Sequence, residues 1–519
     1  MTPSPPSPDT FVRDVTDRLR ADGWRGSRAT QELPHYDYDD EGELESLACH
    51  STVRGFHLGT GASIYTRKIL PAILSARHEV ILVTCFWAQS DTLAALRDTL
   101  LQLAARRRRS TTDLPRLRIR VCFSSRSFFQ RLFHTWSPDG YVYPPESWPA
   151  TLGLPAHDVL QAAGIDLTVK SLFFFPVSVM HPKFVIVDRQ RAFVPSCNVS
   201  WEPWLEGCIE LSGANAITGL LEFYSRTWDR TADPTQGSAG TLPGDAGADS
   251  VSKNSDTDDD DEGGNQGELP DESTDESTVR AIESTVDTSI LLQKAGVTTM
   301  IIPSSHHQNP QFHPFPWQSH PIPPPTPLNI ASLELFSSAR HSIYVQTPNL
   351  TSEAVVASLL RALQRRVSVT VVTGRSMMWL EQLVTAGTTT PRCVGGFVRR
   401  YMALPGAARA VEGESDAGCG RLAIYYYRPL LAAAKSRRAS SDVEQGRRAE
   451  EPVQSHLKLT VVDDEFALLG SGNMDRASWF TSQELGILLH DAAVARPIKQ
   501  AVDRVLEGRL DVVFDSLHS

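Results

Sequence analysis

Apolar positions along the chain fall into two kinds of run. EVILVTCFW (Glu79–Trp87) is short and nearly continuous, as a buried strand is; Arg116–Phe123, which alternates, SIYVQTPN (Ser342–Asn349) and Val367–Thr373 read as further strands. Asp91–Arg107 and Thr351–Arg365 repeat at helical spacing and predict amphipathic helices. The apolar stretches His78–Ala88 and Ser171–Met180 also read as buried strands. None approaches the roughly 20 residues that span a bilayer. The order helix, strand, helix, strand occurs twice, and in both copies the first helix ends in SARH, at Ser75–His78 and Ser338–His341. This predicts an internal duplication. The alternation predicts an α/β fold of two similar domains, each a mixed central sheet flanked by helices.

Between the two copies the pattern stops. Asp233–Thr278 holds 14 acidic residues and one basic residue, Lys253, and almost no large apolar side chains. Such a segment cannot bury enough surface to offset its ordering entropy, so it is expected to be a disordered linker. The domains are then 1–232 and 279–519. The chain of 519 residues carries a formal charge of −11, but outside the linker it nets +2. Charge therefore neither demands nor excludes an anionic substrate. Pro303–Pro327, with His306, His307, His313 and His320, reads as an extended loop without metal-ligand spacing, and Gly406–Gly420 and Ser436–Glu451 as further loops. The seven cysteines include no CxxC pair and several lie in apolar runs, as free thiols of a reducing compartment would. MTPSPPSPDT has neither a basic nor an apolar leader region, which predicts an intracellular protein, cytoplasmic or peripherally membrane-associated.

Each half also carries one polar constellation. His181, Lys183 and Asp188 stand in HxKxxxxD spacing, and His456, Lys458 and Asp463 repeat it. With 15 His, 8 Lys and 35 Asp in the chain, random placement gives about 0.016 such matches. Ser196 and Asn198 follow Asp188 by eight and ten residues, and Ser471 and Asn473 follow Asp463 by the same offsets. A glutamate comes next inside an apolar run, Glu210 in GCIELSG and Glu484 in SQELGILL. The asparagine-to-glutamate offsets are twelve and eleven, which leaves Glu206 as an alternative to Glu210.

These paired motifs resemble the phospholipase D superfamily, whose members carry two HxKxxxxD motifs each followed by a serine and an asparagine. The stretch Gly470-Ser471-Gly472-Asn473 with Met474-Asp475 is similar to the cardiolipin synthase branch; Pro195 stands where the family usually has glycine. The resemblance implies two pseudo-twofold domains with one shared active site. It also implies a metal-free, cofactor-free double displacement. One histidine attacks phosphorus to form a phosphohistidine and the other serves as acid and then base. Lys183, Lys458, Asn198 and Asn473, with Ser196 and Ser471, are then expected to hold the phosphate, while Glu210 and Glu484 fix the imidazoles. The residues leave the order of the histidines open; the resemblance implies His181 as nucleophile and His456 as acid.

Phospholipids and nucleic acids both present phosphodiesters. Leu172-Phe173-Phe174-Phe175-Pro176, Trp201, Trp204, Trp479 and Phe480 flank the motifs and favour a glycerophospholipid substrate and peripheral membrane contact. Arg106–Arg109 with Arg116, Arg118 and Arg120, and Lys435, Arg437, Arg438, Arg447 and Arg448, are the basic clusters a superfamily nuclease would use. An inactive phosphate-binding scaffold is the third reading. Two motifs in one chain imply activity as a monomer.

Overall fold

The computed structural model describes residues 8–22, 40–111, 114–127, 140–174, 178–229, 279–304, 322–377, 379–407, 418–430 and 449–517. The acidic linker, the four histidines of the proline-rich loop and the second basic cluster lie outside the described residues.

The first half contributes strands β1 (Ala48–Gly59), β2 (Glu79–Phe86), β3 (Leu117–Ser125), β4 (Ile165–Ser171), β5 (Phe184–Val187), β6 (Arg191–Pro195) and β7 (Trp204–Ser212). The second repeats them as β8 (Thr288–Ser304), β9 (Ser342–Thr347), β10 (Ser368–Thr373), β11 (Leu422–Tyr427), β12 (Leu459–Val462), β13 (Phe466–Gly470) and β14 (Glu484–His490), then adds β15 (Leu510–Asp515). In each half three strands run parallel, β2-β3-β4 and β9-β10-β11, and the remaining pairs are antiparallel. The order is β4-β3-β2-β5-β6-β7-β1 in the first half and its mirror, β8-β14-β13-β12-β9-β10-β11, in the second. Strands β1 and β8 pair antiparallel at the seam, so both halves share one mixed sheet. The mirrored order is what a pseudo-twofold axis through the seam produces.

The helices include α1 (Pro8–Asp22), α2 (Asp91–Arg109), α3 (Ala214–Trp228), α4 (Pro327–Ser338), α5 (Glu353–Gln364), α6 (Arg476–Phe480) and α7 (Ala492–Leu506). Helix α2 starts where the Ser90 hydroxyl caps the Leu93 amide at 3.2 Å, and it ends in four arginines that complement its dipole. One apolar core lies wholly within the first half; the other runs from Ile81 and Phe184 across the seam to Leu468 and Val502. Helix α1 packs on the second half: the Phe11 ring is 4.9 Å from that of Phe466, and Arg18 meets Glu334 at 3.2 Å. The cut at residue 232 therefore does not separate two self-contained cores.

Ser171–Met180 differs from the single buried strand expected of it. Phe173–Phe174 and Ser178–Val179 pair with each other in a separate two-stranded ribbon. No helix among the described residues is long and apolar enough to cross a membrane. None of the seven cysteines is in a disulfide.

Candidate active site

The two histidines enter the site at the starts of equivalent strands, on short extended segments just before β5 and β12. Those segments are clamped by the opposite half. The His181 amide donates to the Gln483 carbonyl at 3.0 Å, and the Gln483 amide to the Val179 carbonyl at 2.9 Å. The His456 amide donates to the Leu205 carbonyl at 2.9 Å, and Trp204–Leu205 pairs in parallel with Gln454–Ser455.

The side chains cross in the same way. Nδ1 of His181 lies 2.8 Å from Glu484 Oε2, and Nδ1 of His456 lies 2.8 Å from Glu206 Oε1. Each imidazole is oriented by a carboxylate of the other half, which fixes the proton on Nδ1 and leaves Nε2 as the reactive nitrogen. The carboxylates are held in turn by the serines. Ser471 Oγ donates to Glu484 at 2.5 Å and Ser478 Oγ at 2.7 Å, while Ser196 Oγ donates to Glu206. Burial pushes both carboxyls up. The facing histidine and the hydroxyl donors outweigh it, with Lys458 adding to the pull on Glu206, and hold both below the usual range.

Glu206, rather than Glu210, is thus the partner of His456. Glu210 lies four residues further along β7, where it pairs with Arg191 at 2.8 Å and Arg54 at 3.1 Å, 3.5 Å from His57. Burial raises its carboxyl, but His57 and Arg191 hold it at about 2. The misassignment has a local cause. Ser196 bonds the Gly207 amide, one residue after Glu206, just as Ser471 bonds the Leu485 amide after Glu484. Helix α6 lengthens the second loop, so counting from the asparagine overshoots in the first half. Register from the serine finds Glu206.

The serines also differ from expectation, since their hydroxyls serve the glutamates. The motif aspartates stand apart from the reacting groups. Asp188 and Asp463 sit at the far ends of β5 and β12, seven residues and up to about 23 Å of extended chain from the histidines. The Asp188 carboxylate accepts the amides of Arg77 (2.9 Å), His78 (2.7 Å) and Glu79 (2.9 Å). Asp463 accepts those of Arg340 (2.9 Å), His341 (2.8 Å) and Ser342 (2.8 Å). The repeated SARH is the receptor for the repeated aspartate, and both features are structural.

Lys183 and Lys458 are buried beside their histidines. Lys183 Nζ donates to the His181 carbonyl at 2.6 Å. Lys458 Nζ donates to the His456 carbonyl at 2.8 Å and lies 2.7 Å from His456 Nε2. Burial brings Lys458 down to about 7, with Lys183 adding to the push and Glu206 resisting it. Burial, against the pull of Glu206 and with Lys458 assisting, brings His456 down to about 4; His181 is lowered for the same kind of reason. Both imidazoles are therefore neutral at rest, but they are not equivalent. His456 is 4% exposed, engaged by Lys458 and packed on Trp204 at 4.8 Å. His181 is 15% exposed, and no hydrogen bond from a described residue reaches its Nε2.

The asparagines close the site differently. Asn198 Oδ1 accepts the Phe86 amide at 3.2 Å, so its Nδ2 remains a donor. Asn473 Nδ2 donates to Asp475 at 3.0 Å, and its buried Oδ1 has no partner among the described residues. Pro195 does not disturb the first turn: the Ser196 amide bonds the Gly207 carbonyl at 2.8 Å, matching Ser471 on Leu485 at 3.0 Å. Of the apolar and aromatic residues flanking the motifs, Trp201 is exposed, whereas Leu172, Phe173 and Trp479 are core. In the first basic cluster Arg118 pairs with Glu79 and Arg120 with Asp166, and Arg107 is buried on backbone carbonyls, while Arg106, Arg108 and Arg109 are exposed.

This duplicated mixed α/β sheet, with one His–Lys entry per half meeting at a pseudo-twofold seam, is a phospholipase D-like two-domain fold, and the second half carries the matching family domain. Residues 333–506 match the family described as cardiolipin synthase, PLD-like domain. The fold is similar to that of phosphatidylserine synthase from Haemophilus influenzae Rd KW20, at 11% identity over 98% of this chain and 92% of that one, with a TM-score of 0.50. Nuc from Salmonella typhimurium, a phospholipase D family member, is matched at 15% identity over 42% of this chain and 97% of that one, TM-score 0.25. No curated protein sequence matches the chain.

Proposed function

We propose that the chain is a phospholipase D-type phosphodiesterase or phosphatidyltransferase acting on glycerophospholipids through a phosphohistidine. The observation that carries this reading is the asymmetry between two crossed His–Glu pairs: His181 presents an open, neutral Nε2, while His456 Nε2 is held by Lys458. Nε2 of His181 attacks phosphorus. An incoming phosphodiester anion draws Lys458 from His456 onto a non-bridging oxygen and favours protonation of the freed Nε2. His456 gives that proton to the leaving alcohol as the P–O bond breaks. Water or a second alcohol then attacks phosphorus, passes its proton to His456, and the P–N bond breaks to restore His181. Glu206 and Glu484 stabilise whichever imidazole carries positive charge. Lys183, Lys458 and Asn198 Nδ2 supply donors for the phosphate oxygens. The match to a domain described as cardiolipin synthase, PLD-like supports lipid over nucleic acid.

The test uses phosphatidylglycerol labelled with radioactive phosphate. His456→Ala is expected to accumulate acid-labile, alkali-stable label on the protein; His181→Ala is expected to take up none. Cleavage of single-stranded DNA with no lipid turnover would replace this reading with the nuclease one.

A further inference from the structure

A second cavity, of about 270 Å³, shares no lining residue with the His–Glu pairs. Ser352 and Ala354 line it from the start of helix α5, Arg392 and Arg400 from the helix Thr390–Met402, and Arg476 and Phe480 from α6. Three features of its wall converge on one chemistry. The first-turn amides of α5 receive no cap from the Ser352 side chain. Ser352, which lines the cavity, is 1% exposed, and its buried Oγ has no hydrogen-bond partner among the described residues. Against three guanidinium groups the wall sets one carboxylate, Glu353, and that is already bound to Arg400 at 2.6 Å. Arg392 makes no ion pair among the described residues, while Arg476 lies over Phe480 at 4.2 Å with its Nε on the Thr385 carbonyl.

We propose that this cavity is a binding site for a phosphate group, carried either by a soluble phosphomonoester or by an anionic phospholipid head group. The α5 amides and the Ser352 hydroxyl supply hydrogen bonds, and Arg392 supplies the unpaired charge. A cation would face the arginines, and an apolar guest would leave the hydroxyl and amides unsatisfied. The site is joined to the catalytic turn. The amides of Thr351 and Ser352 donate to the Met474 carbonyl at 3.1 and 3.2 Å, and the Arg476 amide donates to Thr351 Oγ1 at 3.1 Å. An anion that orders the start of α5 also orders the turn holding Asn473. The neighbouring helix Trp379–Ala386, whose last residue lines the cavity, exposes Trp379, Leu380 and Val384, as a contact with a lipid surface would require.

Inorganic phosphate titrated calorimetrically into the full chain tests the site. Lys458→Met removes a catalytic phosphate ligand and is expected to retain saturable phosphate binding. Arg392→Ala and Gly396→Leu are each expected to weaken that binding at least tenfold while melting as the parent does without phosphate. Gly396 lines the cavity, and a side chain there meets only the tip of Arg399, at 3.8 Å. Vesicles of phosphatidylcholine with and without phosphatidic acid form the second arm. Tighter binding to the acidic vesicles, lost in Arg392→Ala and in Trp379→Ser, assigns the phosphate to a lipid. Saturation by inorganic phosphate with no preference for acidic vesicles assigns it to a soluble ester. Anion binding that is abolished by Lys458→Met, is indifferent to Arg392→Ala and Gly396→Leu, or is absent in both arms overturns the proposal.

Discussion

Replacing Asp188 by alanine separates a structural carboxylate from a chemical one. The substitution deletes an acceptor of three backbone amides at 2.7–2.9 Å. A hydrogen bond to a charged group contributes about 1.5–3 kcal/mol when buried. Arg77 and His78 are exposed and Asp188 is half-buried, so water recovers part of this and about 1 kcal/mol per amide is the better figure. Asp188 also has φ 51°, a left-handed conformation that costs alanine about 1 kcal/mol. The expected loss is therefore about 3–4 kcal/mol, read from urea unfolding. Asp188→Asn keeps one carbonyl acceptor and tolerates the positive φ, so it loses about half as much. Asp463→Ala, at φ 54° with the same three-amide geometry, behaves alike. Turnover per folded molecule is expected to fall less than about tenfold in each, because no reacting atom is touched. An Asp188→Ala protein that unfolds at the parental urea midpoint yet loses turnover a hundredfold would refute the assignment of this residue to the turn.

Two further substitutions follow from the crossed pairs. Glu206→Gln is expected to cost about 10³-fold in kcat, because the His456 tautomer loses its anchor, whereas Glu210→Gln leaves turnover within a few-fold and weakens only the Arg54–Arg191–His57 cluster. Comparing kcat with thermal midpoints distinguishes the two. For pH, Lys458 must be charged to meet the phosphate and its pKa is held at about 7, so kcat/KM declines as pH rises through that value. His181 must be neutral, and its lowered pKa puts the acid limb below the ordinary histidine range. Lys458→Arg, whose guanidinium does not titrate, is expected to erase the alkaline limb from the profile at reduced kcat.

The backbone plan was legible because buried strands and amphipathic helices write different periods into the sequence. Asp91–Arg107 and Thr351–Arg365 appear as Asp91–Arg109 and Glu353–Gln364 for that reason. The His and Lys positions were legible because the spacing recurs. Roles that depend on three-dimensional register were not. Glu206 and Glu210 stand four apart on one strand, and only the hydrogen bonds of Ser196 tell which reaches across the seam. The motif aspartates kept company in sequence with catalytic groups, but a four-residue strand carries them to the opposite end of the sheet. Pro195 looked like a break in the turn. The glycine at the equivalent place, Gly470, takes φ 140°, while the proline strand end reaches the same serine hydrogen bond without a positive φ.

The exchange of carboxylates between halves makes the duplication obligatory in a way that sequence similarity alone does not. A lone half would keep its histidine and lysine but hold the glutamate meant for someone else's imidazole. Neither copy can drift toward a private chemistry, since a change at Glu206 is felt at His456 and a change at Glu484 at His181. Cleaving the chain within residues 233–278 should therefore give two fragments that are silent apart and regain turnover only as a complex, as in a split reporter.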